Sequence, residues 1–67
     1  MAKNGIIQEN EGFFVLVNGV QRTFRDEKSH AYDAARLLKQ KHKTDIVEIE
    51  DRSTGAKVMM MEDGRTA

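Results

Sequence analysis

The chain contains no cysteine, no proline and no tryptophan. Without cysteine there is no disulfide framework, no thiolate metal site and no cysteine nucleophile. The composition suits a reducing cytoplasm, which is the expected location. Long apolar runs are missing as well. The longest, Phe13-Phe14-Val15-Leu16-Val17, falls far short of the roughly 18 residues of a membrane span, so no membrane partner is expected. Met1-Ala2-Lys3-Asn4-Gly5 leads into no apolar signal core, and no secretion signal is expected. A net charge is absent too: eleven basic side chains balance eleven acidic ones. That balance removes the global positive footprint of a non-specific nucleic-acid binder. Finally, the sequence has no G-x-S-x-G elbow and no glycine-rich phosphate loop.

What remains is short and well patterned. Sixty-seven residues point to one domain over 1–67, with an ordered core over about 5–61 and a frayed polar tail over about 62–67. A third of the residues are charged and 39% are apolar, too apolar for simple disorder. Such a chain buries only about 60% of its unfolded surface, enough for one sheet and one helix, so partner contacts are expected to add stability. It is too short to wall a deep substrate pocket. No enzymatic activity and no cofactor are expected.

Asn18-Gly19 is the strongest local signal. It sits between two apolar runs and calls for a two-residue type I′ hairpin. Simple alternation then sets Val17 opposite Val20, Val15 opposite Arg22 and Phe13 opposite Phe24 on the core face. Phe14, Leu16, Gln21 and Thr23 fall on the other face. Ile6-Ile7-Gln8 and the turn Glu9-Asn10-Glu11-Gly12 predict a short first strand over about 5–8 pairing with 13–17. From Asp26 the period changes. Asp26 as N-cap, Glu27 in the first turn and the stripe Ala31, Ala34, Ala35, Leu38 predict a helix over about 27–42. The basic residues Lys39, Lys41 and Lys43 gather near its C-terminal end, where positive charge is favoured.

Asp45–Glu50 alternates as a half-buried strand, with Val47 and Ile49 pointing one way and Ile46, Glu48 and Glu50 the other. Arg52-Ser53-Thr54-Gly55 reads as a turn, and Ala56–Met61 as a last strand. The expected fold is therefore α+β: a small, mainly antiparallel sheet of four to five strands, ordered β-β-β-α-β-β, with one helix packed on one face.

In Ile6-Ile7, Gly12-Phe13, Val15, Ala31, Ala34-Ala35-Arg36, Val47 and Gly55 this layout resembles a family of very small bacterial domains of unknown function. The resemblance spans roughly residues 6–60, consists of core and turn positions, and implies the fold without any site. A looser likeness links the strand–helix–hairpin plan and the acidic Glu48-Ile49-Glu50-Asp51 to small phage-encoded inhibitors of bacterial defence complexes. Together these imply a bacterial or phage origin.

Four groups of residues are candidates for function. His30 and His42 lie about 18 Å apart along one helix and cannot share a metal ion, so no metal site is expected. Glu48, Glu50 and Asp51 form a candidate acidic patch; Glu48 and Glu50 lie about 6.6 Å apart on one strand face. Their ordinary role is a solvated face, and an inhibitor would present them to a basic channel. Arg22, Lys28, Arg36, Lys39 and Lys43 form a candidate basic patch within a segment, residues 22–43, of net charge +4. With Tyr32 among them, they could bind nucleic acid through phosphate contacts and stacking. Phe14, Leu16, Ile46 and Met60 form a candidate partner surface, since nothing in the expected fold covers the sheet face away from the helix. The leading expectation is a small cytoplasmic interaction module, a homodimer or a binder of another protein. Nucleic-acid binding and phage-type inhibition are the alternatives.

Overall fold

The computed structural model describes residues 11–67, and within them the expected α+β layer pair is present. Strands β1 (Phe13–Val17) and β2 (Val20–Arg25) precede helix α1 (Lys28–Lys41), and strands β3 (Val47–Asp51) and β4 (Lys57–Met60) follow it. The four strands form one antiparallel sheet in the order β2-β1-β3-β4. Both β2 and β3 run antiparallel to β1, so they run parallel to each other on either side of it. A connection between them has to cross one face of the sheet, and α1 is that crossover.

Helix and sheet meet at small residues. Ala31 and Ala35 are fully buried, and they pack against Val15, Val17, Val47, Ile49 and Met60. Phe13, Tyr32, Ala34, Leu38 and Val58 close the margins of this core. The helix starts one residue later than expected. Glu27, not Asp26, is the N-cap, with extended backbone and no side-chain hydrogen bond. Its carbonyl accepts the first helical hydrogen bond from Ala31. At the other end the C-cap His42 donates its backbone N–H to the Leu38 carbonyl. The His42 ring nitrogen Nδ1 lies 3.2 Å from an Asp45 carboxylate oxygen.

The Asn18-Gly19 turn forms as expected, with φ of 53° and 82° at its two central residues, the signature of a type I′ turn. The register beyond it differs from simple alternation. Val17 pairs with Val20 and Leu16 with Gln21, but Val15 pairs with Thr23, Phe14 with Phe24 and Phe13 with Arg25. Arg22 is skipped as a β-bulge. A strictly alternating strand would aim the Arg22 guanidinium into the apolar face of Val15, where an unpaired cation is costly. The bulge leaves it exposed and reverses the facing of every later residue in β2.

The strand expected over 5–8 lies outside the described residues. One further expectation changes. The tail over 62–67, expected to fray, folds back along β4. Met59 and Ala67 exchange two backbone hydrogen bonds of 2.9 Å each, and Met61 donates to the Arg65 carbonyl at 2.7 Å. Gly64 turns the chain, and Met60 bridges Thr66.

Gly12 enters the sheet with φ of +95°, and a Cβ there would collide with the Phe24 ring. Gly19 has φ of +82° but open space around it. Gly12→Ala is therefore expected to lose about 2–4 kcal/mol from strain and overpacking together, and Gly19→Ala about 1–2 kcal/mol from strain alone. Urea unfolding of both variants checks this, and equal losses would show that the Phe24 contact does not matter.

Candidate interaction surface

The sheet face away from α1 is built by the register. One row across it reads Phe24, Phe14, Glu50, Lys57 and the next reads Gln21, Leu16, Glu48, Met59. Among the described residues no helix or strand packs over these rows. The bulge at Arg22 matters here, because it brings Phe24 beside Phe14. Their ring centroids are 5.8 Å apart at an interplanar angle of 64°, an edge-to-face pair. Arg52 lies over both rings, its guanidinium carbon 5.0 Å from the Phe14 centroid and 5.8 Å from that of Phe24. Such cation–π contacts contribute roughly 0.5–1 kcal/mol each at exposed sites. The Arg52 side chain also donates to the Glu11 carbonyl at 3.2 Å, and its backbone N–H donates to the Gly12 carbonyl at 3.0 Å. These bonds hold the arginine flat on the aromatic pair.

The expected partner surface is only partly what the register delivers. Phe14 lies on this face and is half-buried. Leu16 lies on it too, but at 8% exposure it offers little area. Ile46, just before β3, is 49% exposed. Its backbone is fixed to the hairpin turn: Asn18 N–H donates to its carbonyl at 2.7 Å, and its N–H donates to the Asn18 side-chain oxygen at 3.0 Å. Met60 is a correction, since it is fully buried beneath the helix with Val47, its partner across the strands. The methionine on the open face is its neighbour Met59, 38% exposed. Phe24, Arg52 and Met59 are thus the members of the face that alternation alone misses.

The acidic group divides in the same way. Glu48 and Glu50 stand side by side on the open face, half-buried, and among the described residues they enter no ion pair. Asp51 points to the helix side and serves its own turn, accepting from the Ser53 backbone N–H at 2.9 Å and from its hydroxyl at 2.7 Å. Those hydrogen bonds, the hydroxyl first, hold the Asp51 carboxyl below the usual carboxylate range. Asp63 is lowered likewise by Arg65, whose backbone N–H and guanidinium both donate to it.

The basic group does not converge. Arg22 lines an open groove between β2 and the helix with Thr23, Arg25, Ala34, Leu37 and Leu38. Lys28 lies on the opposite flank of the helix, 5.6 Å from the Tyr32 ring centroid, beside a cleft of about 190 Å³ that includes Phe13, Asp51 and Val58. Arg36 pairs with Asp33 at 2.8 Å and donates to the Gly64 carbonyl at 3.2 Å. Lys39 donates to the Asp45 carbonyl at 2.6 Å. Lys43 is exposed past the end of the helix. Three of the five cations face local partners, and Arg22 is separated from them by the helix.

Among the described residues no group of three or more His, Asp or Glu side chains is placed to hold a metal ion, and no helix is long and apolar enough to cross a membrane. Comparison with protein-family models, with curated proteins and with solved structures gives no match.

Asp51 carries a pH dependence. Its folded-state pKa is depressed, so its contribution is present above the ordinary carboxylate range and is lost as pH falls through the lower folded value. Asp51→Asn is therefore expected to melt below wild type at about pH 6, with the gap closing as pH falls below the ordinary carboxylate range. Thermal melts across that range check it, and a gap independent of pH would refute the assignment.

Proposed function

We propose that this protein is a small, non-enzymatic interaction module of the cytoplasm that acts through the sheet face opposite its helix. The observation that carries this reading is the arrangement of Phe14, Phe24 and Arg52. Two aromatic rings and the arginine laid on them form a preorganised, amphipathic cluster on a face that no described helix or strand covers. Aromatic and arginine side chains are enriched where proteins bind one another. Met59 and Ile46 extend the apolar area, and methionine adapts readily to a partner's shape. Glu48, Glu50 and Lys57 supply charges of both signs around it, the composition of a polar rim.

The reading makes a positional prediction. Met59→Lys, a change at an exposed position on the open face, is expected to abolish binding of protein partners in a pull-down with the full chain. Leu37→Lys, on the outer side of the helix at 62% exposure, is expected to leave it intact. The opposite pattern would move the interface to the helix and refute the proposal. A far-ultraviolet spectrum of each variant shows that both remain folded.

A further inference from the structure

We propose that Asn18 is a self-modification site: the Gly19 nitrogen displaces its side-chain amide, and a latch to the start of β3 controls when that attack occurs. Asparagine before glycine suits this chemistry, because glycine has no side chain to shield its nitrogen or restrict its backbone. Both residues are exposed to water. The Gly19 nitrogen gives up its proton and bonds to the Asn18 side-chain carbon Cγ. The Cγ–Nδ2 bond breaks, and Nδ2 leaves with that proton as ammonia. A five-membered succinimide ring remains. Water then opens the ring at one of two carbonyls. Breaking the new bond between Cγ and the Gly19 nitrogen gives an aspartyl residue in a normal backbone. Breaking the original peptide bond gives an isoaspartyl residue, with the chain running through the former side chain.

The folded turn opposes ring closure. The ring needs the Gly19 nitrogen on the same side of the Asn18 Cα–C bond as Cβ. A type I′ turn holds ψ of its first central residue at about +30°, which sets that nitrogen about 150° away from Cβ. Asn18 has the φ of such a turn, 53°. Its side chain is also engaged elsewhere. Oδ1 accepts from the Ile46 N–H at 3.0 Å, and the Asn18 backbone N–H donates to the Ile46 carbonyl at 2.7 Å. Attack therefore requires this latch to release and ψ to rotate. Asn18 and Ile46 are both exposed, and nothing lies within 4 Å of where a Gly19 Cβ would stand. Sparsely packed turns of this kind open locally, at less cost than unfolding the whole chain.

The two products have different consequences. The aspartyl product keeps a side-chain oxygen for the Ile46 N–H. The isoaspartyl product adds a backbone carbon to a turn whose two residues set the pairing of Val17 with Val20. It cannot close a type I′ turn. The reaction is irreversible once ammonia is lost, so the site is a one-way timer for the hairpin that carries Phe14 and Phe24.

The test follows Asn18 in the full chain in mildly alkaline buffer, folded and in denaturing guanidinium. Fragment-ion sequencing separates its products from those of Asn4, which also precedes a glycine. The folded chain is expected to react at Asn18 at least about tenfold more slowly than the unfolded chain, yet faster than its global unfolding constant allows. Equal rates would overturn control by the turn and latch. Protection as large as the global unfolding constant would overturn local release, and an unreactive Asn18 in the unfolded chain would overturn the site itself. Ile46→Pro removes the latching N–H and should raise the folded-state rate at least about threefold. An unchanged rate in that variant, shown folded by its thermal melt, would overturn the latch; if the variant does not fold, the wild-type rates decide. Purified isoaspartyl material should melt at least about 10 °C below wild type, and Asn18→Asp within about 5 °C of it. An isoaspartyl form as stable as wild type would overturn the timer.

Discussion

The crossover above β1 is the constraint on which the structure depends. Two parallel strands flanking a third cannot be joined within the sheet, so the connection from β2 to β3 has to pass over one face. The chain makes that passage with α1, and Ala31 and Ala35 allow it to lie close. Larger side chains there would hold the helix away from Val15 and Ile49 and open the core to water. Among the described residues this is the one crossover; it seals one face, and no other described helix or strand covers the second. The strand order and the asymmetry between the two faces thus share a single topological cause.

What the open face displays is decided by one residue. Without the bulge at Arg22, Phe24 would turn towards the helix and Thr23 would stand beside Phe14. With it, the two phenylalanines meet and Arg52 finds a double aromatic platform. Gly12 belongs to the same assembly, since its bare backbone leaves room for the Phe24 ring and its carbonyl receives the Arg52 N–H. The aromatic pair, the arginine and the glycine entry form one unit tying the start of β1 to the ends of β2 and β3.

Much of the architecture could be read from local pattern. The Asn18-Gly19 turn, the alanine stripe and the alternation of Val47 and Ile49 each follow from one stretch of chain, and each is in place. The register of β2 could not be read by counting from the turn, because nothing in its glycine or proline content marks a bulge. The available signal was electrostatic: alternation would have buried Arg22. Met60 was misplaced for a related reason. In Val58-Met59-Met60-Met61 every residue is apolar, so the inward phase is set only by pairing of Met60 with Val47. The fold-back of the tail depends on backbone hydrogen bonds, to which the polar side chains of Glu62 and Asp63 give no clue. The dispersal of the basic residues is likewise a tertiary fact, since Arg22 and the helix cations belong to different flanks of α1.

The fold-back of the tail also bears on how the molecule avoids uncontrolled growth. An open sheet offers the unpaired backbone of its outer strands to any extended chain, and repeated addition along such an edge propagates into fibres. Here residues 65–67 occupy the outer side of β4, with Ala67 and Met59 joined in both directions. The tail is thus a built-in terminator. It removes β4 as a nucleation template, whatever the β4 side chains do at the faces of the sheet.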